Sequence, residues 1–148
     1  MSFSSNVKSE LSHHFGNARH CNIAELAAIL NMCGHIAYNR DKICVKIQTE
    51  NPAAARKYFT LLKKTFNIDS EVLTRRNSQL KKNMVYMLFV NNDEQVRKML
   101  QACGILYYVG DRMYIEKRMD ELVVNSVCCK RAYIRGAFLA SGSISDPE

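Results

Sequence analysis

Arg75, Arg76, Lys81 and Lys82 place four cations beside the amides Asn77, Gln79 and Asn83 in the nine positions from Arg75 to Asn83, with no acid among them. Guanidinium and ammonium groups can meet phosphates or guanine, and Asn and Gln can read adenine. The same composition also suits a solvated hairpin tip. A second group, Arg40, Lys42, Lys46 and Gln48, accompanies a short alternating segment and offers the same chemistry.

The six cysteines are Cys21, Cys33, Cys44, Cys103, Cys128 and Cys129, and no C-x-x-C pair occurs among them. Neither a zinc ribbon nor a thioredoxin motif is present. His13, His14, His20 and Cys21 cluster in sequence, but their spacing fits no common zinc pattern, so neither a metal nor any other cofactor is expected. Cys33 has Leu30, Met32 and Gly34 around it, a poor setting for a reactive thiolate despite nearby His35, and reads as structural.

These residues need a scaffold, and 148 residues suffice for one domain with a proper core. The 47% hydrophobic and 24% charged composition suits a folded globular chain. An excess of 21 Lys and Arg over 14 Asp and Glu, giving +7, fits a polyanionic partner. The N-terminal MSFSSNVKSELSHHF lacks the apolar core of a secretory signal, and no apolar run approaches the roughly 18 residues of a membrane span. A cytoplasmic protein with no membrane contact is the expectation.

Phe3, Val7 and Leu11 predict a short amphipathic helix in an N-terminal lead-in over 1–20. Asn22 and Glu25 read as a capping box before a helix that ends at Gly34, a natural C′ residue. Alternation from Lys42 to Glu50, with Ile43, Val45 and Ile47 on one face, predicts a strand paired with His35 to Tyr38 through a turn at Asn39, Arg40 and Asp41. Asn51 and Pro52 open a helix with Ala55, Tyr58, Phe59, Leu62 and Phe66 on one face. A second hairpin, Ile68 to Arg75 and Met84 to Val90, is joined by the polar loop Arg76 to Asn83. Asn91, Asn92 and Asp93 precede a helix burying Val96, Met99, Leu100 and Cys103 and closed by Gly104. The first repeat so defined covers 21–104. Residues 105–126 read as a linker with an extended piece at Met113 to Ile115, and 127–148 as the start of a second repeat.

LAAILNMCGHI at Leu26 to Ile36 and IRGAFLASGSI at Ile134 to Ile144 share one design, a helix of small and large apolar residues ending in glycine. Ala24 and Ala28 in one, and Ala132, Gly136 and Ala140 in the other, are spaced for a helix-pairing seam, although alanine is also simply the best helix former. Together with the hairpin order, these segments resemble the LAGLIDADG homing-endonuclease motif, from about Asn22 onward. IQTENPAAARKYFTLLKK and CCKRAYIRGAFLASGSISDPE are similar to the WhiA sporulation-regulator family of Gram-positive bacteria.

The resemblance implies an α+β, αββαββα repeat with an antiparallel sheet, a second repeat incomplete here, and a helix-turn-helix beyond Glu148. It implies double-stranded DNA as the partner of the two hairpins' basic and amide residues, a nucleoid-associated protein, and roles in transcription regulation, sporulation, cell division or chromosome segregation. LAGLIDADG nucleases place an acid before each terminal glycine to hold a divalent metal. Here those positions are Cys33 and Ser141, poor magnesium ligands, so no catalysis is expected. An active endonuclease and a protein-interaction domain remain the alternatives. A homodimer through the glycine-ended helices is a further expectation, because the partner repeat is incomplete.

Overall fold

The computed structural model describes residues 3–13, 18–76 and 84–141, with the side chains of residues 3–5 and 141 outside that description. The first helix, α1 (Phe3–Leu11), docks on the body through Leu11. The second, α2 (Arg19–Cys33), begins before Asn22 and swallows the expected capping box: Asn22 and Glu25 are both buried in its interior, and the N-cap is Ala18. Glu25 is drawn inward because it has cationic partners on two other helices, a tertiary contact that outweighs a local cap. Gly34 is also not the left-handed C′ residue expected. Its φ of −83° is extended and it already opens a strand. Glycine is required there because a Cβ would lie 2.6 Å from the Leu30 carbonyl oxygen.

Strands β1 (Gly34–Asn39) and β2 (Lys42–Thr49) form a hairpin whose two turn residues, Arg40 and Asp41, both have positive φ, 51° and 63°. This is the geometry that matches strand twist in a two-residue loop. Helix α3 (Pro52–Phe66) starts as the sequence indicates, with the Asn51 side chain accepting from the Ala53 and Ala54 amides and Pro52 in the first turn. Tyr58, Leu61 and Leu62 are buried on it, whereas Phe59, assigned to the inner face from sequence, is 39% exposed. The helical period left that residue at the margin of the buried stripe, and Leu61 takes the core position.

Strands β3 (Glu71–Arg76) and β4 (Met84–Val90) form the second hairpin. Residues 68–70 precede β3 outside it, although Ile68 still enters the core. Helix α4 (Asp93–Ala102) is capped by Asn92, which accepts from the Gln95 amide at 3.0 Å, and it buries Val96, Met99 and Leu100. Cys103 is buried at its end, and Gly104 follows with φ 76°. The 105–126 stretch contains more order than the sequence suggests: β5 (Leu106–Val109) pairs with β6 (Arg112–Ile115), Tyr107 stacking on Tyr114. Helix α5 (Val127–Ser141) completes the described chain.

The four-stranded sheet is antiparallel in the order β1-β2-β4-β3. From α2 to α4 the chain is therefore the αββαββα repeat of an α+β fold. One face of the sheet carries Ile43, Val45, Ile47, Leu88 and Val90 into a single core with α2, α3 and α4. Each large side chain fully buried there contributes about 1.5–3 kcal/mol. Among the described residues no helix is long and apolar enough to cross a membrane.

Candidate nucleic-acid interface

Strand register decides which cations share a surface. Lys46 pairs with His35 on one side and Phe89 on the other, Gln48 with Met87, Lys42 with Asn39, and Arg75 with Val85. Side chains alternate along a strand, so these residues all point away from the face bearing Val45, Ile47 and Leu88. The structure thus brings Lys42, Lys46, Gln48 and Arg75 onto the open face of one sheet. Glu71, across from Phe89, is an acid on the same face. Arg40 stands exposed at the tip of the first hairpin.

Arg76 does not join them. It is the last residue of β3 rather than part of a loop, and its register against Met84 puts it on the helix-bearing side with Val72 and Thr74. Asn77, Gln79, Lys81 and Lys82 lie outside the described residues.

The tip of the first hairpin is held from behind. Asp93 accepts the Ile43 amide and the Arg97 Nε, each at 2.8 Å, and Arg97 also donates to the Asp41 carbonyl at 2.9 Å. The Arg97 guanidinium beside Asp93 holds that carboxyl below its ordinary range, so the contact is ionic at neutral pH. The Tyr38 hydroxyl donates to Asp41 at 3.0 Å. A two-residue turn anchored at three points presents Arg40 in a fixed position.

At the end of α2, burial pushes the Cys33 thiol up to about 11, against the pull of the neighbouring Tyr58 hydroxyl and the Lys117 ammonium. A neutral thiol is neither a hard-cation ligand nor a nucleophile. The Lys117 ammonium donates to the Gly34 carbonyl, placing a positive charge beside that helix end. The segment is tied down by Asn31, which donates to the Arg118 carbonyl at 2.9 Å and the Tyr133 hydroxyl at 3.0 Å. Ser141 closes α5, and its side chain lies outside the described residues.

Helices α2 and α5 run in the same direction, with Cys129 beside His20 near their starts and Gly136 against Glu25 further along. Ala24, Ala28 and Ala132 are fully buried and Gly136 is buried, with Ala140 half-buried. The seam residues are therefore used within the chain, while Ile134 faces outward at 68% exposure. Beneath the seam, Glu25 is fully enclosed and accepts from Arg135 Nε and Nη2, both at 3.1 Å, while Lys57 Nζ sits 3.1 Å from its other oxygen. Lys57 also donates to the Leu11 carbonyl at 3.2 Å. The Glu25 carboxylate thereby ties α2 to α3 and α5, and Lys57 adds the end of α1. Sequence reasoning missed this triad.

A pair of parallel helices joined by small residues, resting on an αββαββα repeat, defines a LAGLIDADG-type scaffold. The WhiA N-terminal LAGLIDADG-like domain matches residues 19–106, and the WhiA LAGLIDADG-like domain matches residues 130–148. The chain belongs to the WhiA family. It is 47% identical over its whole length to a probable cell division protein WhiA of Lachnoclostridium phytofermentans and 44% identical to one of Alkaliphilus metalliredigens. In each case it spans 47% of the relative, so this chain is about half the length of the curated relatives it matches. The crystal structure of an N-terminal LAGLIDADG domain of WhiA superposes with a TM-score of 0.68 at 18% identity, covering 97% of this chain and 60% of that one. That likeness shows the shared fold.

Proposed function

We propose that this chain is a non-catalytic, DNA-associating part of a WhiA-type regulator, acting at the nucleoid in cell division or the related processes of sporulation and chromosome segregation. The observation that carries the reading is the clustering of Lys42, Lys46, Gln48 and Arg75 on the one sheet face that no core-forming helix covers. Cations on a flat antiparallel surface meet duplex phosphates, giving affinity with little sequence preference. The names of the relatives support the cell-division role.

Binding to a duplex of arbitrary sequence should fall steeply with salt, and each lost phosphate contact should reduce the log–log slope by about one unit. Changing Lys42, Lys46 and Arg75 together to Glu should abolish binding without altering the thermal melt. Arg76→Glu, on the other side of the sheet, should matter far less. If the triple variant holds DNA as well as the parent at low salt, the open face is a protein-binding surface instead. Leu73, Met87 and Phe89 between the basic residues favour that second reading.

No cleavage is expected. With magnesium or manganese the protein should leave supercoiled plasmid intact, because Cys33 is an un-ionised thiol and Lys117 would repel a cation at that helix end. Metal-dependent nicking that disappears on changing a neighbouring acid would overturn this part of the reading.

A further inference from the structure

The opposite ends of the paired helices carry a different chemistry. His20 and Cys21 lie in the first turn of α2, and Cys128 and Cys129 in the first turn of α5. The spacing that relates Cys33 to Ser141 in the two repeats also relates His20 to Cys128 and Cys21 to Cys129. Pairing the helices brings these equivalent positions face to face. His20 Nδ1 is 3.0 Å from Cys129 Sγ and 3.6 Å from Cys21 Sγ, and the four donor atoms all lie within 4.8 Å of one another.

We propose that His20, Cys21, Cys128 and Cys129 form a tetrahedral thiolate–imidazole site for zinc that clasps the starts of α2 and α5. Zinc bonds of about 2.3 Å to sulfur and about 2.0 Å to nitrogen require donors roughly 3.5–3.8 Å apart, so the cluster needs only a small contraction. Three sulfurs and one imidazole are a donor set selective for zinc over magnesium or calcium. Cys21 and Cys129 are buried and form the floor, while His20 and Cys128 face solvent and leave a route of entry. A cleft of about 530 Å³ lined by His20, Asp120, Asn125, Ser126 and Cys129 opens beside them.

Burial pushes the Cys21 thiol up, and the charge of a bound zinc would offset that by ionising it. All four residues lie in the first turn of their helix, at its positive dipole end. The Ser126 hydroxyl lies 3.1 Å from Cys128 Sγ and accepts from the Cys129 amide at 3.3 Å, fixing the start of α5. Binding exchanges three thiol protons for one divalent cation, so affinity rises with pH. Because the ligands come from two helices far apart in sequence, the binding energy adds to the stability of the helix pair.

The whole chain, reduced and stripped with a chelator, would be titrated with cobalt(II) and then zinc. A one-to-one complex with thiolate-to-cobalt charge transfer and tetrahedral d–d bands, displaced by zinc, is the expected result. His20→Ala and Cys128→Ser change solvent-facing positions, and each should weaken cobalt binding by about tenfold or more while the metal-free circular dichroism stays that of the parent. Cys44→Ser, out on the sheet, should bind as the parent does. Absence of a thiolate band at equimolar cobalt, or undiminished affinity in both the His20 and the Cys128 variants, would overturn the site. So would loss of two titratable thiols on mild oxidation that cobalt does not prevent, which would assign the cluster to disulfide chemistry.

Discussion

Replacing Glu25 with alanine is expected to lower folding stability by about 3–5 kcal/mol, the cost of leaving buried cations without their anion. Its carboxylate is fully enclosed, as is the Lys57 side chain, and the Arg135 side chain is only 14% exposed. Burial already pulls the Lys57 ammonium below the ordinary lysine range, and Glu25 is what opposes that pull. Without Glu25, the amine would give up its proton at still lower pH in the folded state than in the unfolded chain. The unfolded chain then holds more protons throughout the window between the two values, so stability rises with pH there. The deficit of the alanine variant should accordingly shrink as pH climbs toward the ordinary lysine range. Urea titration at two pH values measures both effects. Replacing Glu25, Lys57 and Arg135 together by Leu, Met and Met should recover much of the loss, since apolar side chains of similar volume often substitute well for a buried ionic group. An alanine variant within about 1 kcal/mol of the parent at neutral pH would show that the triad is not what holds the helices.

Gly136→Ala should destabilise, against the usual preference of helices. In a solvent-facing helix, alanine for glycine gains about 1 kcal/mol. Here the new Cβ would lie 2.3 Å from the Glu25 carbonyl oxygen and 3.1 Å from its carbonyl carbon. That obstruction is backbone, so α2 and α5 must separate by roughly an ångström, and overpacking of this kind costs about 1–3 kcal/mol or more. The steric term exceeds the propensity term, and Gly136→Leu should cost more again. Ile134→Ala, two residues away and exposed, should stay within about 0.5 kcal/mol. Denaturant midpoints of the three variants give the comparison, and a Gly136→Ala protein more stable than the parent would mean that the helices do not approach this closely.

Local signals gave the elements and long-range ones decided the site. The alternation of Ile43, Val45 and Ile47 and the cap at Asn51 depend on neighbours a few residues away, and they appear in the structure where the sequence places them. Glu25 was misread because a glutamate near a helix start is locally indistinguishable from a cap. Its partners Lys57 and Arg135 are found only once α3 and α5 are packed. Arg75 and Arg76 are adjacent cations of equal standing in sequence, but a one-residue register shift moves every side chain to the other face, so only pairing with β4 separates them. Strand β5 escaped notice because Leu106, Tyr107, Tyr108 and Val109 show no alternation of polar and apolar residues. Cys128 and Cys129 acquired meaning only when helix pairing set them beside His20 and Cys21.

The pairing of α2 with α5 has a further effect during biosynthesis. On a ribosome, α2 emerges roughly 100 residues before the helix that covers it, and at about 5–20 residues per second that is an interval of some 5–20 seconds. The sheet and α3 can close over one side of α2 in that time, but the side with Ala24, Ala28 and the Glu25 carbonyl stays bare until α5 is made. A stripe of alanines interrupted by a carboxylate is a poor surface for stray hydrophobic association. The carboxylate that later binds Arg135 is thus also the polar group on the face of α2 that waits for its second helix.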